Sequence, residues 1–296
     1  MYKNKRIVAV TPAGRKRYLE ILKKYVLNCE FIDEWQIWQN TNNLEDIAYF
    51  KELAKEDKRV VIETRDFNYH SQCSQAHVIN ADNIYRFFDK CILNDHVYVR
   101  FDDDIVWMNY NSIKNLIDFR IDNPEYFIVY GSIVNNAICD YIHQKLGALR
   151  LDQNRPLPLG YDCLDHQGWN NPFIAERKHR CLLAKIKSNQ LSKYYYNRWI
   201  LYGYERVSIN VISWLGEEFA KFNGIVDYRE EPWLAVDKPK EIGKPNCICG
   251  TALFAHFSFF PQRLYLDTTD ILEQYRKISL QQTPFKTATK NDIPII

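Results

Sequence analysis

Short apolar runs alternate with segments of helical period along the first half of the chain, and this alternation restricts the fold more than any single motif does. Arg6–Val10 (RIVAV) reads as a buried strand, the turn Thr11-Pro12-Ala13-Gly14 follows, and Leu19, Leu22, Val26 and Leu27 then recur at helical spacing. The pattern repeats with a strand at Phe31–Gln39, an Asn-capped helix from about Leu44 to Ala54, a strand at Val60–Thr64 and a helix from Asn83 to Leu93. A fourth strand, His96–Phe101, runs into three consecutive Asp residues, and a helix at Ser112–Arg120 and a strand at Tyr126–Ile133 complete this half. Such a succession predicts an α/β fold: a Rossmann-like, mostly parallel sheet flanked by helices.

The second half is less regular. It is loop-like from Leu151 to Pro172, then reads as a strand at Val207–Trp214, a short helix at Glu217–Phe222, a helix start at Pro232 and an apolar strand at Thr251–Phe260. A boundary near residue 150 is expected, within a single domain spanning residues 1–296. With 296 residues, 46% of them hydrophobic, the chain can bury a large core. Its 39 basic and 37 acidic residues leave a charge of +2, too balanced for a polyanion binder, so no nucleic-acid partner is expected. No run approaches the roughly 20 apolar residues of a membrane span, and the first apolar run is too short for a secretory signal, so the expected location is cytoplasmic. The eight scattered Cys read as reduced thiols; Cys247 and Cys249 share a strand face but have no second pair at zinc spacing.

The sharpest chemical signal is Asp102-Asp103-Asp104, between the apolar strand VYVRF and the apolar run IVWM. Ligands of open α/β sheets bind beyond the carboxyl ends of strands, and clustered carboxylates repel unless a cation or proton offsets them. Asp102 and Asp104 are the natural pair for Mn²⁺ or Mg²⁺, ions that bind through one or two carboxylates together with substrate phosphates. A phosphorylated substrate follows from that reading.

The succession of strands and helices ending in the DxD-type motif RFDDDIVWM resembles nucleotide-sugar-dependent glycosyltransferases of the GT-A fold. The resemblance implies a GT-A-like donor half at residues 1–150 and an acceptor and catalytic half at 151–296. It implies that Asp102 and Asp104 hold the cation against the donor diphosphate, with Asp103 nearer the ribose or sugar. The turn after the first strand, where that family cradles the nucleotide, puts Thr11 and Arg15 at the donor, and Arg65 at the end of the third strand can approach it too. The acidic pair in YREEPWLAV stands before a helix start and matches the base of inverting members: Glu231 first, Glu230 second, with Glu217 and Glu218 as the competing pair. His256, inside LFAHFSFF, matches the late His that completes the cation's coordination in many members. Trp214 and Trp233 neighbour the acidic pairs and are assigned to the acceptor side. The implied partners are a nucleoside-diphosphate sugar and a glycan or lipid-linked sugar acceptor.

Two other readings stay open on the sequence. FDDDIV also matches the haloacid-dehalogenase phosphatases, with Asp102 as nucleophile, although there the motif follows the first core strand and here three strands precede it. A non-catalytic sugar-binding protein that keeps the fold is the other. Finally, residues 175–206 hold eight Lys and Arg against Glu176 and Glu205. This basic, aromatic stretch suits either an exposed helix with a buried aromatic face or peripheral contact with an anionic membrane or lipid-pyrophosphate acceptor.

Overall fold

The structure is a computed structural model that describes residues 1–65, 83–150 and 166–281. Its strands are β1 (Arg6–Ala13), β2 (Glu34–Gln39), β3 (Val60–Glu63), β4 (His96–Phe101), β5 (Ile105–Met108), β6 (Val129–Val134), β7 (Arg198–Leu201), β8 (Val211–Leu215) and β9 (Asn246–His256). They form one nine-stranded sheet in the order β3-β2-β1-β4-β8-β6-β9-β5, with β7 added against β9. The expected α/β class is the observed one. The block β3-β2-β1-β4 is parallel throughout, as crossover helices require. The second half then completes the sheet from within: β8 pairs antiparallel with β4 and with β6, and β9 runs parallel to β6 and antiparallel to β5 and β7. Residues on both sides of position 150 therefore build the same sheet.

Sequence explains most of these elements. β1 is buried from Ile7 to Ala13 because it lies between two parallel neighbours, which calls for an apolar run and not an alternating one. The helix Leu44–Glu56 starts where the Asn43 side chain accepts from the backbone N–H groups of Glu45 and Asp46, and Asn171 caps the helix Pro172–Lys187 in the same way. Lys16–Val26 turns Tyr18, Leu19, Ile21, Leu22 and Val26 inward. Among the described residues no helix is long and apolar enough to cross a membrane, and six cysteines are free thiols. Cys73, Cys163 and residues 151–165 of the loop expected over 151–172 lie outside the described residues, while the end of that loop is instead helical, at His166–Trp169 and again from Pro172.

Four local expectations shift. Thr11-Pro12-Ala13 is strand, paired with Ile37, Trp38 and Gln39, and the bend comes at Gly14-Arg15. Pro12 fits because β4 pairs with β1 only as far as Val10, so Pro12 has a single strand neighbour. The segment after Asn83 is a 3-10 helix, Ile84–Lys90. Ile105–Met108 is a strand held by β9.

The basic stretch is the fourth. Lys178 is fully buried on Asp140 at 2.6 Å, Arg180 pairs with Glu176 and Asp270, Arg198 donates to Asn123 and Tyr126, and Arg206 pairs with Glu231. Lys178, Arg180, Arg198 and Arg206 are thus engaged within the protein, and the stretch is divided among a helix, a 3-10 turn and β7.

Candidate functional site

The carboxyl ends of β1 and β4 open onto a cavity of about 760 Å³ that Asp102, Asp103, Asp104, Glu230, Glu231 and His256 all line, together with Arg15. A tight turn builds its floor. The Asp102 backbone N–H donates to the Asn210 carbonyl at 2.9 Å, and the Ile105 N–H returns to the Asp102 carbonyl at 3.1 Å. Three consecutive carboxylates are therefore fanned into three different surroundings.

Asp102 faces Arg100, whose Nε and Nη2 donate to its Oδ1 at 3.1 and 2.9 Å, while Asn210 Nδ2 donates to Oδ2 at 3.1 Å. Burial outweighs Arg100 here and holds this carboxyl above the ordinary range. Asp103 turns the other way: its Oδ2 accepts the Gly14 N–H at 3.0 Å and its Oδ1 accepts Arg15 Nε at 3.0 Å, with Arg15 Nη2 on the same oxygen. It anchors the β1 bend, and it is itself only 3% exposed. Asp104 lies 3.0 Å from Arg15 Nη1, 3.5 Å from His256 Nε2 and 4.0 Å from Arg263 Nη2. Burial opposes its charge, but Arg15, His256 and Arg263 together hold it below the ordinary range.

His256 ends β9 opposite Ile105. Its Nδ1 is 3.3 Å from the Asn135 carbonyl, an acceptor only, so Nδ1 donates there, and Nε2 lies 3.5 Å from Asp104 Oδ1. A ring nitrogen and a carboxylate oxygen at this distance can be bridged by a shared cation or by a second ring proton. This is how the donor set fits Mn²⁺ or Mg²⁺: one carboxylate and one imidazole aimed at each other, a second carboxylate two residues away, and room for waters and phosphate oxygens. Among the described residues no three His, Cys, Asp or Glu side chains are already grouped around one point, because Asp102 is turned to Arg100.

The carbonyl that orients His256 is itself fixed. Asn135 has a left-handed backbone (φ 69°), which Asn tolerates better than most residues. Its side chain donates to Gln262 Oε1 at 2.8 Å and accepts from the buried Lys178 at 3.4 Å, and its N–H donates to Asp140 Oδ1 at 3.1 Å.

Glu230 and Glu231 differ sharply. Glu231 is clamped by Arg206 at 2.9 and 2.8 Å. Glu230 Oε2 is ion-paired with Arg100 Nη1 at 3.1 Å. Burial, partly offset by Arg100 and reinforced by Asp102, pushes its carboxyl up to about 7.

No family model matches the chain, and no curated protein matches it. Among solved structures, the chain is similar to CMP:2-keto-3-deoxy-manno-octonic acid synthetase complexed with CTP at 10% identity and a TM-score of 0.45, over 94% of this chain and 100% of that one. It is also similar to 4-diphosphocytidyl-2C-methyl-D-erythritol synthase at 12% identity and a TM-score of 0.30, covering 42% of this chain and 59% of the other. The same synthase from Anaerococcus prevotii DSM 20548 matches at 13% identity and a TM-score of 0.30, over 43% of this chain and 55% of that one. Likeness of this size says nothing about the cavity.

The remaining sequence-assigned residues lie elsewhere. Thr11 is fully buried and accepts the Trp35 indole N–H at 3.0 Å, a structural bond behind the cavity. Arg65 is drawn to Asp89 at 2.6 Å and over the Phe87 ring. Trp214 is fully buried among Phe88, Tyr98 and Phe219 and donates to the Cys91 carbonyl. Trp233 packs edge-on against Phe222. None of these four lines the cavity, nor do Glu217 and Glu218, the latter held by Lys221 and Lys244 at 2.7 Å. Conversely, Arg100, Asn210 and Arg263 line it without having been singled out. Arg100 had a visible signal, a lone cation inside the apolar strand HVYVRF; Arg263 had none.

Proposed function

We propose that the protein transfers a sugar from a nucleoside-diphosphate sugar to an acceptor hydroxyl, with a divalent cation held by Asp104 and His256 and completed by Asp102. One observation carries the reading: residues as distant in sequence as Arg15, Asp102–Asp104, Glu230 and His256 line a single cavity at the carboxyl edge of the sheet. When bound, Mn²⁺ or Mg²⁺ supplies Lewis-acid stabilisation of the leaving nucleoside diphosphate.

The chain's own residues do the rest. Arg15 and Arg263, already beside Asp104, offer guanidinium donors to the phosphate oxygens. Asp103 keeps Arg15 and the Gly14 N–H in place. Glu230 is the base, in preference to Glu231: its carboxyl near 7 suits proton removal from an acceptor hydroxyl at neutral pH, whereas Glu231 is held by two nitrogens of Arg206. With Asp102, Asp103 and Glu231 held by hydrogen bonds and Asp104 assigned to the cation, Glu230 acting as base predicts inversion at the anomeric carbon. The acceptor is a glycan or lipid-linked sugar. The phosphatase reading loses support from Asp102, both of whose oxygens are hydrogen-bonded and not free to attack.

The test is a panel of nucleotide sugars with Mn²⁺, reading nucleoside diphosphate release, repeated on Asp104→Ala. Release by the wild type and its loss in the variant are expected. Full Mn²⁺-stimulated activity in Asp104→Ala overturns the cation assignment. Phosphate release from simple phosphoesters, or pyrophosphate release from nucleoside triphosphates, with no turnover of any nucleotide sugar, overturns the reaction.

A further inference from the structure

Arg100 sits on β4 in the middle of the sheet, its backbone paired with Val10 of β1 on one side and Ile212 of β8 on the other. The backbone is fixed, and the residue is only 3% exposed. Its guanidinium nevertheless reaches two carboxylates from distant parts of the chain, Asp102 Oδ1 at 2.9 Å and Glu230 Oε2 at 3.1 Å. An arginine buried in a strand needs such partners, since its charge is costly to bury unpaired. But this pairing has a consequence for the cavity. Asp102 Oδ1 receives two N–H groups and Oδ2 receives Asn210, so three of the roughly four lone-pair sites of this carboxylate are taken, both of those on Oδ1 by Arg100.

We propose that Arg100 competes with the divalent cation for Asp102, bridging Asp102 to Glu230 until the cation takes Asp102 over and leaves Arg100 on Glu230 alone. The inference rests on the cation reading of the proposed function. It makes Arg100 a positioning residue: by exchanging partners it ties occupation of the cation site to the hold on the base. The planar fork is what spans the two carboxylates; a lysine, with one point charge, serves one of them at a time.

The test is Mn²⁺ titration followed by the electron paramagnetic resonance signal of the free ion, on wild type, Arg100→Lys and Glu230→Gln. Arg100→Lys keeps the charge but loses the fork, so it is expected to bind Mn²⁺ on the order of ten-fold tighter, the scale of one charge-assisted hydrogen bond. Glu230→Gln removes the rival carboxylate, gives Arg100 wholly to Asp102, and is expected to bind Mn²⁺ more weakly than wild type. Damage to the fold would weaken both, so opposite signs are diagnostic. Should Arg100→Lys fail to fold, the Glu230→Gln titration decides alone, on protein whose urea melt shows the fold intact. Unchanged or weaker binding by a folded Arg100→Lys, or tighter binding by Glu230→Gln, overturns the competition while leaving the cation site intact. A wild type that binds no Mn²⁺ overturns the cation reading, and this inference with it.

Discussion

Glu230 offers a stability experiment whose sign runs against intuition. The carboxyl stands at about 7 in the folded protein against an ordinary 4.5, so the fold prefers the neutral acid. A group with a raised folded pKa supports the fold at low pH and loses that support as pH climbs, here between about 4.5 and 7. The rise from 4.5 to about 7 amounts to about 3 kcal/mol at pH 8, and to less than about 1 kcal/mol at pH 5. Its side chain is only 12% exposed, so solvent screening discounts this little. Glu230→Gln keeps the shape and removes the ionisation. It should therefore stabilise the protein at pH 8 by about 3 kcal/mol, with the gain nearly gone at pH 5, while costing roughly two to four orders of magnitude in turnover, the worth of a general base. Urea denaturation of both proteins at the two pH values, in chelator, measures the first; initial rates measure the second. A Glu230→Gln protein less stable than wild type at pH 8 would refute the reasoning, for it would mean that the Arg100 ion pair outweighs the desolvation of Glu230.

Two further outcomes follow from buried groups. Lys178→Met leaves Asp140 without its 2.6 Å partner in a fully buried position and should cost about 3–5 kcal/mol in denaturant melts, with the double variant Asp140→Asn, Lys178→Met recovering part of it. Trp214→Phe should lower the melting temperature through its lost aromatic contacts and its bond to the Cys91 carbonyl, yet leave KM for donor and acceptor unchanged; a shifted acceptor KM in steady-state kinetics would restore Trp214 to the acceptor side.

How far the sequence reaches can be argued from these same residues. The parallel block was legible because β1, β3 and β4 are mostly apolar, β2 alternates Trp and Ile with polar residues, and the helices after β1 and β2 carry an amphipathic face and an Asn cap, signals that are local. Asp102–Asp104 were legible because three carboxylates beside an apolar strand are rare, and Arg15, Glu230, Glu231 and His256 followed from the resemblance that this motif carries. What sequence does not carry is the direction a side chain takes. Thr11 and Arg15 both sit near the end of β1, but Thr11 points into the core toward Trp35 and Arg15 toward Asp103. Trp214 is next to an acidic pair in sequence and far from acid chemistry in space, because β8 lies between β4 and β6 and buries it. The order of Glu231 over Glu230 likewise turned on Arg206 and Arg100, whose reach across the cavity no spacing rule encodes.

The near-zero net charge of the chain is repeated inside the cavity, where Arg15, Arg100, Arg206, Arg229 and Arg263 meet Asp102, Asp103, Asp104, Glu230 and Glu231. A cavity already neutralised in this way is a poor host for either a divalent cation or a diphosphate alone, since each would have to break ion pairs and leave partners uncompensated. On the proposed reading the two together would cost less: the cation would take Asp102 and Asp104, Arg15 and Arg263 so released would meet the phosphates, and Arg100 would stay on Glu230. Binding of the two should then be mutually reinforcing, with the same coupling factor measured from either side. Mn²⁺ titrations with and without a saturating nucleoside diphosphate, matched by diphosphate titrations with and without Mn²⁺, give that factor twice. Independent binding, with each affinity indifferent to the other, would mean that Arg15 and Arg263 keep their hold on Asp104 when diphosphate is bound.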